Sequence, residues 1–328
     1  MEILNSVWVN KYRPKKLTDL VLPERQKVDF SKYIERKEIP NLLFYGPPGG
    51  GKTTLARILC SKEGVLTKKA DNLLTVNGSA QESRSINFVS KVIEPFLRYP
   101  PAGEDKVKVV FIDEADNLTP DSYRSLRGPI EKFQESYGRF VWTCNYVSKI
   151  PSPVQSRFTQ YPFKQIEKDF VYHYSKDILE KENVEFQEKD VNFVIDNLYP
   201  DVRQIINVLQ QCSLQGTLKV DEEAVKTKEK KILALIIQMI GHISKDEGNQ
   251  IGRVVNSLIE ELKEEDFEYR NLYSTLFFME KFPVQAKVVV NKYSNSHQSC
   301  LVPSMHFMAM VFEMIKALQD YKRAVAGK

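Results

Sequence analysis

The 328-residue sequence predicts an α/β domain built on a parallel sheet, followed by helical regions without further strands. Three observations carry this prediction. Apolar, strand-like runs alternate with longer amphipathic stretches over residues 40–163, as in a sheet covered on both faces. A glycine-rich loop ending in Lys-Thr joins the first of these runs to a helical pattern. From residue 165 the strand-like runs fade and apolar positions recur at helical spacing.

The expected strands are "NLLFYG" (41–46), "NLLTVNG" (72–78), "KVKVVFID" (106–113), "RFVWTCN" (139–145) and "TQYPFK" (159–164). Next, "EKDFVYHYSKDILEKENV" and "EKDVNFVIDNLY" have helical periodicity, and "DVRQIINVLQQCSLQG" opens on an Asp N-cap and closes near a glycine. "TLKVDEEAVKTKEKK" (217–231) is charged and reads as a connector. From 232 to 328 the pattern is helical, punctuated by Pro283 and Pro303. The resulting division is a nucleotide-binding domain over 1–164, a small helical domain over 165–228 and an all-helical domain over 229–328.

Composition narrows the classes. The chain is 42% hydrophobic and 27% charged, ordinary for a soluble protein with a full core. A net charge of +4 means that any nucleic-acid surface must come from local placement of Lys and Arg. Cys60, Cys144, Cys212 and Cys300 form no Cys-x-x-Cys pair, and the four histidines are scattered, so neither a zinc site nor a disulfide framework is expected. The longest apolar run, "LALIIQMIG", is too short to span a bilayer, and the first residues lack the apolar stretch of a signal peptide. A cytoplasmic protein with no membrane partner is expected.

Two motifs carry chemistry. "YGPPGGGKTT" fits Gly-x-x-x-x-Gly-Lys-Thr, with Gly46, Gly51, Lys52 and Thr53 in the fixed places, between a strand and a helix. Gly49, Gly50 and Gly51 let backbone N–H groups curl around phosphate oxygens. Lys52 supplies a point charge toward the β and γ phosphates of ATP, Thr53 offers a hydroxyl to Mg²⁺, and Thr54 continues the cradle. "VVFIDEAD" then ends an apolar strand in Asp113, suited to the water shell of Mg²⁺, and Glu114, which can polarise an attacking water. The same Asp-Glu-Ala-Asp occurs in helicases, whose other motifs are absent here. A later strand ends at Asn145, either a strand-end cap or a group that orients the lytic water.

Taken together, "WVNKYRPKKLTDLV", "LLFYGPPGGGKTT", "VVFIDEAD", "FVWTCN", "PVQSRF" and "PDVRQIINVLQ" resemble, in order and spacing, the sliding-clamp loader ATPases. The resemblance is to the replication factor C small-subunit branch of the AAA+ superfamily, over about residues 8–210. Within that branch it is most similar to the large subunit of T-even-like phage clamp loaders, given the short chain, the "LVLPE" stretch and the lack of a zinc module. Where cellular small subunits usually read Ser-Arg-Cys, this chain reads Ser156-Arg157-Phe158.

The resemblance implies a AAA+ P-loop domain with a parallel sheet, a helical lid and an all-helical collar used in oligomerisation. It implies a DNA-dependent ATPase that opens a ring-shaped sliding clamp and places it on primer–template DNA during replication, viral replication if the chain is phage-encoded. Partners would be further copies of the chain and a distinct small clamp-loader subunit; localisation would then be the host cytoplasm. Arg157 would reach the ATP site of a neighbouring subunit, and Arg203 would read the γ-phosphate from the lid. Val9, Asn10, Lys11, Tyr12 and Val21 would form the adenine and ribose pocket, with core packing the competing role for Trp8 and Tyr12.

The segment "GSAQESRSINFVSK" follows a strand and opens a helix, a natural phosphate site. By the same resemblance, Ser83, Arg84, Ser85 and Ile86 are the expected DNA contacts, with Arg124 and Arg127 as further candidates or as part of a solvated face. Phe96, Leu97 and Tyr99 are expected either to engage a hydrophobic pocket on the clamp or to belong to the core. Two other functions compete: a nucleotide-binding scaffold with little turnover, and another AAA+ machine such as a branch-migration motor. The intact set Lys52, Thr53, Asp113, Glu114, Asn145, Arg157 and Arg203 weighs against the scaffold.

Overall fold

The computed structural model describes residues 7–60, 67, 69–81, 88–221, 225, 228–245, 247–263, 269–280, 282–297 and 300–326. The chain divides into two compact units, Met1–Val220 and Asp221–Lys328.

In the first unit, α1 (Trp8–Lys11) and α2 (Glu24–Arg36) precede β1 (Leu42–Tyr45), and α3 (Lys52–Cys60) follows the glycine loop. Then come β2 (Leu73–Asn77), α4 (Glu94–Arg98), β3 (Lys108–Asp113), α5 (Pro120–Gln134), β4 (Gly138–Cys144), α6 (Ser152–Gln155) and β5 (Thr159–Pro162). The strands form one parallel sheet in the order β2-β3-β4-β1-β5. Four of them fall within the runs expected from sequence, and β4 begins one residue ahead of its run, at Gly138. Alternation along each strand sends side chains to opposite faces. Leu43, Val110, Ile112, Phe140 and Trp142 join one apolar cluster, while Leu42, Phe44, Val109, Phe111 and Val141 join another. This two-sided burial is why the strands read as continuous apolar runs. Each large side chain so buried contributes about 1.5–3 kcal/mol.

Two helix starts show how local sequence sets the frame. At α5, Thr119 Oγ1 accepts from the backbone N–H of Ser122 at 3.2 Å, and Pro120 occupies the first turn, where its missing N–H costs nothing. Three helices close the unit: α7 (Lys168–Lys181), α8 (Glu188–Leu198) and α9 (Val202–Cys212). Asp201 caps α9, its Oδ1 accepting from Gln204 N–H at 3.0 Å.

The alternatives raised for residues 96–99 resolve residue by residue. Leu97 is 0% exposed and packs with Val89 and Ile93, so it is core and not available to a partner. Phe96 packs partly against the same cluster, under the Lys108 ammonium at 4.7 Å. Tyr99 is 66% exposed.

The second unit contains α10 (Lys228–Lys245), α11 (Gly248–Glu261), α12 (Tyr269–Phe278), α13 (Val284–Ser296) and α14 (Pro303–Ala326). Its core is built from Ile236, Met239, Leu258, Leu276, Val290, Phe307 and Met314, among others. Pro283 is the N-cap of α13 and Pro303 the first residue of α14, so both prolines stand at helix starts.

Candidate functional site

The glycine loop leaves β1 through Gly46, whose φ of +142° and close approach to β5 exclude any side chain. A Cβ there would lie 2.1 Å from the Phe163 carbonyl oxygen. The loop delivers Lys52 to the start of α3, where the lysine is buried and its Nζ donates to the carbonyls of Gly46 and Pro47 at 2.7 and 2.8 Å. Burial holds this ammonium below the usual lysine range.

The end of β3 supplies the acidic half. Asp113 Oδ1 accepts from the Thr53 hydroxyl at 2.9 Å and from the Thr143 hydroxyl of β4. Thr143 Oγ1 in turn accepts from the Glu114 backbone N–H at 3.1 Å. A single hydroxyl on the neighbouring strand therefore orients both acidic residues. Glu114 stands in the left-handed region, at φ 55°. Its carboxylate accepts from the hydroxyl of Ser79, just after β2, and from the Asn117 amide at 3.3 Å. Asp116 is buried, and its Oδ2 accepts from the backbone N–H groups of Asn145 and Tyr146 at 3.3 and 3.1 Å. That pins the Asn145 turn to the acidic strand end. Beside it, burial pushes the Cys144 thiol up to about 12, so this sulfur is a neutral wall near neutral pH.

These groups surround a cavity of about 300 Å³. The loop contributes Gly49, Gly50, Gly51, Lys52, Thr53 and Thr54; the strand ends contribute Asp113, Glu114, Thr143 and Asn145. Apolar side chains of Val9, Leu20 and Val21 line it from the N-terminal segment, and the lid helices add Phe170, Tyr174, Arg203 and Ile206. The lining is thus cationic and hydroxyl-rich at the loop, acidic at the end of β3, and apolar along Val9, Leu20, Val21, Phe170 and Ile206, a match for a polyphosphate carrying a planar base.

Asn10, Lys11 and Tyr12 do not line the cavity. Lys11 Nζ and Tyr12 OH both donate to Glu182 Oε1, at 2.7 and 2.6 Å, and Tyr174 OH donates to the Tyr12 carbonyl at 2.6 Å. With the Trp8 N–H on Gln210 Oε1 at 2.9 Å, this segment is strapped to the lid helices. Trp8 is itself buried, the packing role weighed for it. For Glu182, burial acts to raise the pKa, but hydrogen bonds from Lys11 and Tyr12 outweigh it and hold the carboxyl below its ordinary value.

Arg157 stands apart from the cavity. Its guanidinium donates to the Pro153 carbonyl and to Glu131. Ser83, Arg84, Ser85 and Ile86 lie outside the described residues. Arg124 pairs with Asp121 at 2.9 Å on exposed surface, and Arg127 is exposed. Residues that sequence reasoning missed include Arg13, Ser79, Asp116 and Thr143. Arg13 sits in the quoted "NKYRP" stretch; the other three act through side-chain bonds that only the folded sheet creates.

The site and fold define a P-loop ATPase of the AAA class. The family described as ATPase family associated with various cellular activities (AAA) matches residues 42–165. The chain is 37% identical over 219 residues to the replication factor C small subunit of Archaeoglobus fulgidus, covering 67% of each chain. It is 36% identical over 225 residues to that of Methanothermobacter thermautotrophicus, covering 69% of this chain and 68% of that protein. The chain belongs to the replication factor C small-subunit family, the clamp-loader ATPases of DNA replication. Among solved structures, the Thermotoga maritima RuvB Holliday junction branch migration motor is similar with a TM-score of 0.53. At 18% identity, over 89% of this chain and 90% of that one, this likeness shows the fold alone.

Proposed function

We propose that this chain is the ATP-hydrolysing subunit of a clamp loader that opens a sliding clamp and places it on primer–template DNA. The observation that carries the reading is the convergence of Lys52, Thr53, Asp113, Glu114, Asn145 and Arg203 on one cavity, while Arg157 lies outside it. Lys52 and the loop N–H groups hold the β and γ phosphates of ATP. Thr53 and Asp113 are hard oxygen donors bonded to each other, a set that fits Mg²⁺, with Asp113 acting partly through water. The ion, when bound, neutralises charge on the β and γ phosphates. Glu114 accepts a proton from the attacking water once released from Ser79, and Asn145 orients that water or the γ-phosphate. Arg203 reads the γ-phosphate from the lid (165–228), and the helical region 229–328 serves as an oligomerisation collar.

Since Arg157 does not line its own cavity, it is assigned to the ATP of an adjacent copy. A cation supplied late to the transferring phosphoryl group makes hydrolysis report assembly. Ser83, Arg84, Ser85 and Ile86 are assigned to the DNA backbone, and exposed Tyr99 to the clamp. A distinct small subunit completes the complex, and the "LVLPE" stretch favours a phage origin.

The test is complementation by mixing. Lys52→Ala chains and Arg157→Ala chains are each expected to be inactive alone in DNA-stimulated ATPase. Mixed oligomers, verified by native mass, are expected to recover activity. Verified mixed oligomers without recovery overturn the assignment of Arg157 to a neighbour.

A further inference from the structure

Two of the four histidines scattered along the sequence meet in the second unit. His297 follows the last residue of α13, and His306 lies near the start of α14. Tyr273 of α12, a buried side chain, completes a triangle with them. Its hydroxyl oxygen lies 3.3 Å from His297 Nδ1 and 3.2 Å from His306 Nδ1, and the two Nδ1 atoms lie 3.3 Å apart. Aromatic rings wall the group: between ring centroids, Tyr269 stands 5.4 Å from His297, Tyr293 5.0 Å from His306 and Phe307 5.5 Å from Tyr273. Packing of this kind restricts each ring to few orientations.

Hydrogen bonding accounts for only part of this triangle. A neutral imidazole Nδ1 carries either one proton or one lone pair, and the phenol has a single proton. In every such assignment at most two of the three edges become hydrogen bonds, unless one proton is shared between two acceptors. One ion at the centre uses the lone pairs of all three atoms at once. Ligand atoms held about 2.0–2.1 Å from a tetrahedral ion lie roughly 3.3–3.4 Å from one another. The edges here, 3.2 to 3.3 Å, are of that size. Ser296 Oγ lies 3.1 Å from His306 Nε2, a partner that suits a ring proton at Nε2 and leaves Nδ1 its lone pair. Among the described residues no three His, Cys, Asp or Glu side chains gather as a metal site, so the third donor is the phenol oxygen. Two imidazoles and a phenol suit zinc and its first-row neighbours, whereas magnesium and calcium favour carboxylates and carbonyls. The nearby Cys300 thiol donates to the Val302 carbonyl at 3.3 Å, which leaves the fourth position to water.

We propose that His297 Nδ1, His306 Nδ1 and the Tyr273 oxygen form a binding site for a zinc-like divalent ion, which clamps the end of α13 and the start of α14 to α12. The site lies within the second unit and uses none of the groups assigned to ATP or its magnesium.

The experiment is calorimetric titration of zinc chloride into the full chain, free of any tag and of nucleotide and stripped of metal beforehand. One zinc per chain is expected, with a Kd of about micromolar or tighter. His297→Ala, His306→Ala and Tyr273→Phe are each expected to weaken that site at least about tenfold, since losing even an outer partner of a metal ligand costs that much. Asp113→Asn, in the first unit, is expected to leave it unchanged. No zinc binding, parent-like affinity in any of the three variants, or loss of the site in Asp113→Asn overturns the proposal. If the variants fail to fold, cobalt(II) on the parent chain decides. Tetrahedral d–d bands without thiolate charge-transfer bands support the site. Thiolate bands, bound cobalt without tetrahedral bands, or no bound cobalt overturn it.

Discussion

Replacing Thr143 by Val removes one hydroxyl and keeps the shape of the side chain. In the structure that hydroxyl donates to Asp113 Oδ1 and accepts from the Glu114 N–H at 3.1 Å. Losing a hydrogen bond to a carboxylate costs about 1.5–3 kcal/mol, and stranding a buried N–H costs about 1–3 more. Asp113 keeps its bond from Thr53, and the Glu114 N–H is only partly buried, so the low ends apply and the sum is about 2.5–3 kcal/mol. For a unit of this size, each kcal/mol moves the midpoint by about 2–4 °C, so the expected fall is roughly 5–12 °C. Thr143→Ser, which gives up only a methyl group, is expected to cost about 1 kcal/mol. Scanning calorimetry on the three proteins reads the difference. A Thr143→Val midpoint within about a degree of the parent, or a Thr143→Ser fall equal to that of Thr143→Val, refutes the bridging role. The magnesium requirement of the ATPase gives an independent readout: loss of an outer partner of a metal-binding carboxylate is expected to raise the half-saturating concentration by about tenfold or more.

Three further outcomes are expected. Ser79→Ala releases a bond on the Glu114 carboxylate and should raise ATPase without DNA, by up to about tenfold; a rate that falls or holds speaks against Ser79 as a restraint. Gly46→Ala drives a Cβ to 2.1 Å from the Phe163 carbonyl and should destabilise the unit by more than about 3 kcal/mol, read as loss of ATPγS binding and a collapsed unfolding midpoint. Glu182 has a folded pKa below its unfolded value, so its contribution is present above the ordinary carboxylate range and is lost as pH falls through the depressed value. Glu182→Gln should flatten that part of the acid-unfolding curve, and an unchanged curve counts against the strap.

Much of this molecule is legible in its sequence because the central strands β1, β3 and β4 are buried on both faces. "LLFY" and "KVVFID" carry no polar interruption, so composition alone marks them. The strand order is another matter. Pairing of β1 with both β4 and β5 joins segments about a hundred residues apart, and no local pattern encodes that choice. Lys52 and Asp113 announce themselves because their chemistry requires a fixed local spacing. Thr143 does not: a threonine in a strand is ordinary, and its role exists only because β4 lies beside β3. The reading of Leu97 as a possible contact with a partner overlooked a local signal. Val89, Ile93 and Leu97 stand four residues apart, on one helical face, and all three are buried.

The sheet order has a consequence for how this protein tolerates change. Between the strand that feeds the glycine loop and the strand that ends in Asp113 lies β4, hydrogen-bonded to both. A substitution near its C-terminal end is therefore judged twice, by two neighbours with different requirements, whereas one in β5 at the border of the sheet answers to a single strand. In a saturating mutational library selected for ATP turnover, Thr143 and Cys144 should accept the narrowest range of replacements in the sheet. The exposed positions Thr159 and Gln160 should accept the widest, making β5 the place where lineages can drift without disturbing the site.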